Sequence, residues 1–314
     1  MARDRLRPKG TLARDVSHMQ PTPHSRRPRC LLAGWFSFTG GGATAGDLLT
    51  RDLARSWLDD AGYESDVAVV PPFTGDVDWR TVDPARYALV VFVCGPFAPG
   101  EFEAEFLERF SGNRLIGLNV SMLTPLEEWQ PFDLLFERDS SRAVSPDLAF
   151  LSEQRLPPVV GVCLVEDYPD ALVAVADAAV ERLVASRELA VVRIDTRLEA
   201  NTGGLRTPGE VEALIARMDA VVTTRLHGTV LALKNSVPVL AIDVLGDGRK
   251  VLRQCDRLGW PIVFPADQLS DSALAAALDR CLSEPARQLA AACARRAAED
   301  VEAVRVRFIS AVAV

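Results

Sequence analysis

Two patterns of apolar and polar positions alternate along this chain. Short, near-continuous apolar runs rich in Val, Ile and Leu recur between longer runs of Ala, Leu, Glu and Arg with helical spacing. The apolar runs predict strands at 30–38 (CLLAGWFSF), 66–70 (DVAVV), 87–93 (YALVVFV), 114–120 (RLIGLNV) and 133–137 (DLLFE). A second set follows at 159–165 (VVGVCLV), 189–194 (LAVVRI), 219–224 (DAVVTT), 237–242 (VPVLAI) and 261–264 (PIVF). Helices are predicted between them, for example at 45–62 and 168–186. Strands that are apolar on both faces and separated by helices belong in parallel sheets covered on both sides. The segment LSEQRLPPVV, with Gln, Arg and a Pro pair, separates the two sets as a linker. The expectation is an α/β chain of two facing Rossmann-like domains, residues 30–155 and 156–314. The last helical run, 284–312, is expected to cross back to the first domain. Ligands in such sheets bind outside the carboxyl ends of the strands.

Composition adds limits. Apolar content of 48% and charged content of 25% are those of a globular protein. No run approaches the roughly 18 apolar residues that span a bilayer, so the expected location is cytoplasmic, peripheral to the inner membrane face at most. Residues 1–29 carry eight basic and two acidic side chains, a net of +6. The whole chain is at −8, so the remainder carries −14. The tail has no apolar core of a secretion signal and reads as a disordered basic extension or a mis-assigned start, with an arm to a second subunit of a homodimer or to an anionic surface as the alternative. The acidic body argues against nucleic acid as a partner. Six cysteines occur without a CxxC pair, the pattern of reduced, buried thiols. His227 is the one histidine outside the tail, so a histidine-rich metal site is not expected.

Chemistry concentrates in VVTTRLHGTVLALKNSVPVLAID, residues 221–243. It reads as strand, helix, strand, with Arg225 and His227 at the strand-to-helix junction. Unpaired N–H groups and the dipole at a helix start favour anions. An arginine there makes a phosphate or carboxylate clamp. A histidine two residues on can give or take a proton near neutral pH. Thr223, Thr224 and Thr229 stand beside them.

The same residues carry a resemblance. Thr224-Arg225-Leu226-His227-Gly228 followed by an apolar helix and VPVLAID resembles the signature of the polysaccharide pyruvyl transferases. GWFSFTGGGATAGDLLT, with Gly46 and Asp47, resembles that family's aromatic, Gly-Asp loop. ERDSSRAVSPDLAF resembles its Arg-Asp…Ser…Pro-Asp segment, here Arg138, Asp139, Ser141, Pro146 and Asp147. RKVLRQCDRLGW resembles its Lys-containing helix, here Lys250, Leu258 and Gly259. The resemblance covers residues 30 to 265. It implies a GT-B-like fold and a transferase of glycan biosynthesis that moves a pyruvyl group from phosphoenolpyruvate to sugar hydroxyls. The donor is a substrate, and no cofactor or metal is implied. Arg225, with Thr224 and Gly228, would hold the donor, and His227 would protonate its C3. Asp47 or Asp147 would activate a hydroxyl of a sugar or lipid-linked glycan acceptor.

The chain departs from that family's pattern. The glycine triplet expected after the third strand is CGPF, which keeps Gly95 alone. A basic residue is expected after the first strand of the second domain, where Glu166 and Asp167 stand. Lys250, Arg206 or Arg249 could take its place. The inter-domain segment is also short. Two other readings follow: a nucleotide-sugar glycosyltransferase, and a non-catalytic sugar-phosphate binding protein. GGGATAGD is off GxGxxG spacing by one and has no acid after the second strand, which disfavours NAD. NTGGLRTPGE predicts a loop, with Thr207 capping a helix that Pro208 begins. Trp35, Phe36 and Phe38 read as core, with sugar stacking the alternative.

Overall fold

The computed structural model describes residues 27–165, 171–244 and 249–313. The chain divides into two compact units, with the boundary between Gln154 and Arg155. Each is built on one parallel sheet.

The first unit holds β1 (Arg29–Gly34), α1 (Ala45–Asp60), β2 (Glu64–Val67), β3 (Leu89–Val93), β4 (Pro96–Phe97), α2 (Glu101–Arg109), β5 (Arg114–Met122) and β6 (Leu134–Asp139). The strand order is β2-β1-β3-β5-β4, with β6 also paired to β5. Alternate residues of one strand enter opposite cores. Cys30 and Leu32 of β1 pack with Ala54 of α1, whereas Leu31 and Ala33 pack with Phe106 of α2 and Trp79. Both faces are covered, which is why these strands read as unbroken apolar runs.

The predicted first strand is too long. β1 ends at Gly34 and the chain turns through a 3-10 helix, Trp35–Ser37. The Ser37 hydroxyl accepts the Gly34 N–H at 3.1 Å and donates to the Ala68 carbonyl at 2.5 Å. The turn sends Phe36 into one core and Phe38 into the other. The aromatic run is therefore a corner and not a strand. The tail boundary also moves. Residues 1–26 lie outside the described residues, but Arg27 donates to the carbonyls of Asp59 in the last turn of α1 and of Gly62 and Tyr63 after it. Arg29 belongs to β1 and pairs with buried Asp66, which also accepts from the Tyr87 hydroxyl. Residues 27–29 are thus part of the folded unit.

The second unit holds β7 (Val159–Cys163), α3 (Ala171–Ala185), β8 (Ala190–Arg193), α4 (Pro208–Ile215), β9 (Ala220–Thr223), α5 (Leu226–Lys234), β10 (Val239–Asp243), α6 (Lys250–Leu258), β11 (Val263–Pro265), α7 (Asp271–Cys281) and α8 (Glu284–Val312). The order is β11-β10-β9-β7-β8. The chain steps outward from β7 to β8 and then returns to its other side at β9. The β7–β9 boundary is thus the switch point where open α/β sheets bind ligands. The Thr207 hydroxyl accepts the Glu210 N–H and Pro208 begins α4, as the sequence predicts. All six cysteines are buried and unpaired. Among the described residues no helix is long and apolar enough to cross a membrane.

Candidate functional site

At the β7–β9 switch point a half-open cavity of about 210 Å³ is lined by Val165, Thr196, Thr224, Arg225, Leu226, His227, Asp243, Val244, Lys250 and Val251. Each ends or follows a strand or begins a helix: Val165 follows β7, Thr196 β8, Thr224 to His227 β9, Asp243 ends β10 with Val244 after it, and Lys250 and Val251 begin α6. The fold, more than any one motif, brings them together.

The β9–α5 turn is pinned by its threonines. The Thr223 hydroxyl donates to the Cys163 carbonyl at 2.6 Å and accepts the Arg225 N–H at 3.0 Å. The Thr224 hydroxyl accepts the Val165 N–H at 2.7 Å, tying the exits of β7 and β9. The Thr229 hydroxyl donates to the Arg225 carbonyl at 3.2 Å. Gly228 is required by packing. A Cβ there would stand 2.3 Å from Thr223 Oγ1 and 3.2 Å from Cys163 Sγ. α5 therefore sits close on β7 and β9, with its N-terminus at the cavity.

Arg225 occupies the N-cap position in an extended conformation, so its side chain is free to turn across the β7 exit. Its Nε donates to the Leu164 carbonyl at 2.6 Å, and its Nη2 lies 3.8 Å from Asp195 Oδ1. That Nη2 is buried and has no hydrogen-bond acceptor. The side chain is 15% exposed. A mostly buried guanidinium with spare donors beside a helix start is suited to a small anion. His227 is exposed on the cavity wall two residues on. Lys250 begins α6 and also lines the cavity. The α6 N-terminus itself is taken, because Asp243 Oδ2 accepts the Val251 and Leu252 N–H groups, each at 2.9 Å.

Of the basic residues considered as substitutes, Lys250 lines the cavity. Arg206 does not: its side chain is 84% exposed and pairs with Glu210 at 3.3 Å. Arg249 is an exposed residue in the left-handed region just before α6, outside the cavity lining. Glu166 and Asp167 lie outside the described residues.

The other sequence candidates belong to the first unit. Asp47 closes the N-terminus of α1, where its Oδ2 accepts from the Thr44 N–H at 2.6 Å and hydroxyl at 2.7 Å. Asp147 accepts the Ala149 N–H at 2.8 Å and Arg138 Nη1 at 2.9 Å. Partial burial raises the Asp147 carboxyl, but these two contacts and Asn119 outweigh it and hold it below the usual carboxylate range. Arg138 also donates to Ser121 at 2.5 Å and to Asp139 at 3.3 Å. Burial pushes the Cys94 thiol up, and the negative charges of Asp47 and Asp147 add to the shift. Cys94 and Gly95 both have positive φ, 63° and 71°. Trp35 lies against Gly95, where a Cβ would fall 1.9 Å from the indole ring. Gly95 thus admits Trp35, whose Nε1 donates to the Pro96 carbonyl at 3.0 Å. Gly46 is half-buried in the first turn of α1, beside Asp47.

Three cavity-side residues escaped the sequence reading: Thr196, Asp195 and Asp243. The signal was available. Both acids close apolar strand runs, in VVRID and VLAID, and a carboxylate at the carboxyl end of a parallel strand faces the ligand edge. Among the described residues no cluster of side chains could hold a metal ion.

Residues 133–245 match the family model of the polysaccharide pyruvyl transferases, a family of transferases. The matched segment contains β6 to β10, Asp147, the β9–α5 turn and most of the cavity wall. No curated protein matches. Among solved structures the chain is similar to the spinosyn forosaminyltransferase, at 14% identity and a TM-score of 0.36, over 91% of this chain and 100% of that one. It is similar to the calicheamicin glycosyltransferase at 15% identity and a TM-score of 0.32, over 92% and 100%. A glycosyltransferase from Streptomyces nogalater gives 17% identity and a TM-score of 0.31, over 90% and 99%.

Proposed function

We propose that this protein is a pyruvyl transferase that takes phosphoenolpyruvate as donor and a sugar or glycan hydroxyl as acceptor, in the cytoplasm. The observation that carries the reading is the convergence of Arg225, Thr224, His227 and Lys250 on one cavity at the α5 N-terminus, inside the family-matched segment. Arg225 and the first N–H groups of α5 hold an anionic group of the donor. Lys250, which lines the same cavity, supplies a second positive charge. His227 delivers a proton to C3 of the enol as a hydroxyl oxygen attacks C2. The C2–O bond forms, C3 becomes a methyl group, and loss of phosphate with attack by a second hydroxyl gives the ketal. Of the two acids for the acceptor, Asp147 is engaged by the Ala149 N–H and in an ion pair with Arg138. Asp47 has no ion pair among the described residues, and acceptor activation is assigned to it.

The test is a ligand comparison on the whole chain. Phosphoenolpyruvate should raise the melting temperature and UDP- or GDP-sugars should not. Phosphate release with a panel of sugar acceptors then tests turnover. Protection by a nucleotide sugar instead would make the protein a glycosyltransferase. Binding of phosphoenolpyruvate with no release on any acceptor would favour a sugar-phosphate binding role.

A further inference from the structure

Asp195 follows β8 at the back of the cavity wall, and its side chain is 1% exposed. Its Oδ1 accepts the Arg197 N–H at 2.8 Å and its Oδ2 the Thr202 N–H at 3.4 Å. The same Oδ1 lies 3.8 Å from Arg225 Nη2. The loop around it is tied by Asn201, whose Nδ2 donates to the carbonyls of Asp195 and Arg197 at 2.9 and 2.6 Å. Asp195 is thus a fixed carboxylate. The Arg225 guanidinium donates from Nε to the Leu164 carbonyl, and its Nη2 faces Asp195 Oδ1 across an ion-pair distance of 3.8 Å with no hydrogen bond; Arg197 Nε lies 3.8 Å from the same oxygen.

A buried carboxylate there is costly on two counts. It must be desolvated, and ion pairs with buried members rarely repay that cost in stability. It also sets a negative charge behind a site that would bind anions. Both costs are reasonable if orientation is what Arg225 needs, because a planar fork binds an anion well only when its plane is set. We propose that Asp195 is a positioning residue that fixes the Arg225 guanidinium for the donor and, through its loop, carries Thr196 to the cavity wall. This rests on the reading of Arg225 as the anion clamp.

The sign of one substitution separates positioning from scaffolding. Asp195→Asn keeps an acceptor for the Arg197 N–H and removes the charge. If Asp195 only supports its loop, losing a negative charge beside the site should tighten anion binding. If it positions Arg225, binding should weaken despite the gain in positive potential. Calorimetric titration of the full chain with phosphoenolpyruvate and with inorganic phosphate reads this directly. The expected result is a roughly tenfold weaker affinity, within the range for coupled neighbours, at an unchanged melting temperature. In an Arg225→Ala background the same change should alter affinity less than twofold. Tighter or unchanged binding, or an equal loss without Arg225, overturns the proposal. Should Asp195→Asn unfold, guanidinium NMR of the wild type, assigned through Arg225→Lys, decides it. Hindered rotation of the Arg225 guanidinium supports the brace, and free rotation refutes it. A wild type that binds phosphate but not phosphoenolpyruvate refutes the proposed donor, while the Asp195 cycle is still read with phosphate. A wild type that binds neither anion overturns both.

Discussion

At the scale of single residues, Arg225, His227 and Gly228 separate binding, chemistry and packing. Arg225→Ala should weaken phosphoenolpyruvate binding by about 2–4 kcal/mol and leave folding nearly unchanged, with Arg225→Lys recovering part. Calorimetry with a urea melt tests both halves. His227→Asn should cut phosphate release by roughly 10²–10⁴ while donor affinity stays within a few fold. A variant that turns over normally, or fails to bind, removes the proton-donor role. Gly228→Ala should cost about 1–3 kcal/mol of stability, because its methyl would overlap the Thr223 hydroxyl, which already serves two hydrogen bonds. An unchanged melting curve would contradict the close packing of α5. Arg225 and His227 were legible in the sequence because two polar side chains in an apolar run have few places to go except a strand's carboxyl end. For Asp195 the sequence offered its place at the end of an apolar strand run, which points to the ligand edge, but not its partner. Its burial, and its approach to a residue 30 positions on, exist only in three dimensions.

At the scale of elements, the sequence read the parallel strands well and their ends poorly. Apolar periodicity cannot tell a strand from the corner that follows, so the predicted first strand runs on through Trp35–Ser37, which form a 3-10 helix. β4 has two residues and no period to detect. The start of β1 hides behind two arginines that look like tail. Deleting residues 1–26 should leave the melting temperature unchanged. Deleting 1–29 should lower it clearly, since Arg29 pairs with buried Asp66 and Arg27 ties the end of α1. Equal melting of the two truncations would refute that boundary. The Arg138–Asp147 pair secures the segment after β6. A carboxyl held low in the folded state stabilises fully above its unfolded pKa, about 3.9, and loses that contribution as pH falls through the folded value. Asp147→Asn should therefore be less stable than wild type by about 1–2 kcal/mol at pH 7. The gap should close as urea melts are repeated at progressively lower pH through the carboxylate range. A gap that persists at pH 2 would assign the loss to something other than charge.

At the scale of the molecule, each unit has its own sheet and core, and every residue lining the cavity lies after position 155. Residues 155–314 expressed alone should fold and keep phosphoenolpyruvate affinity within a few fold, while phosphate release is lost with Asp47. Loss of binding in a folded fragment would show that the first unit contributes to the donor site. The division also distributes the cysteines unevenly. Cys30 and Cys94 belong to the first unit, and Cys163, Cys255, Cys281 and Cys293 to the second, all buried. A thiol reagent therefore finds nothing to label on the intact protein. As denaturant rises, the labelled mass itself becomes a clock with two hands. A step of two adducts marks the first unit opening, a step of four marks the second, and six at once marks a molecule that opens as one.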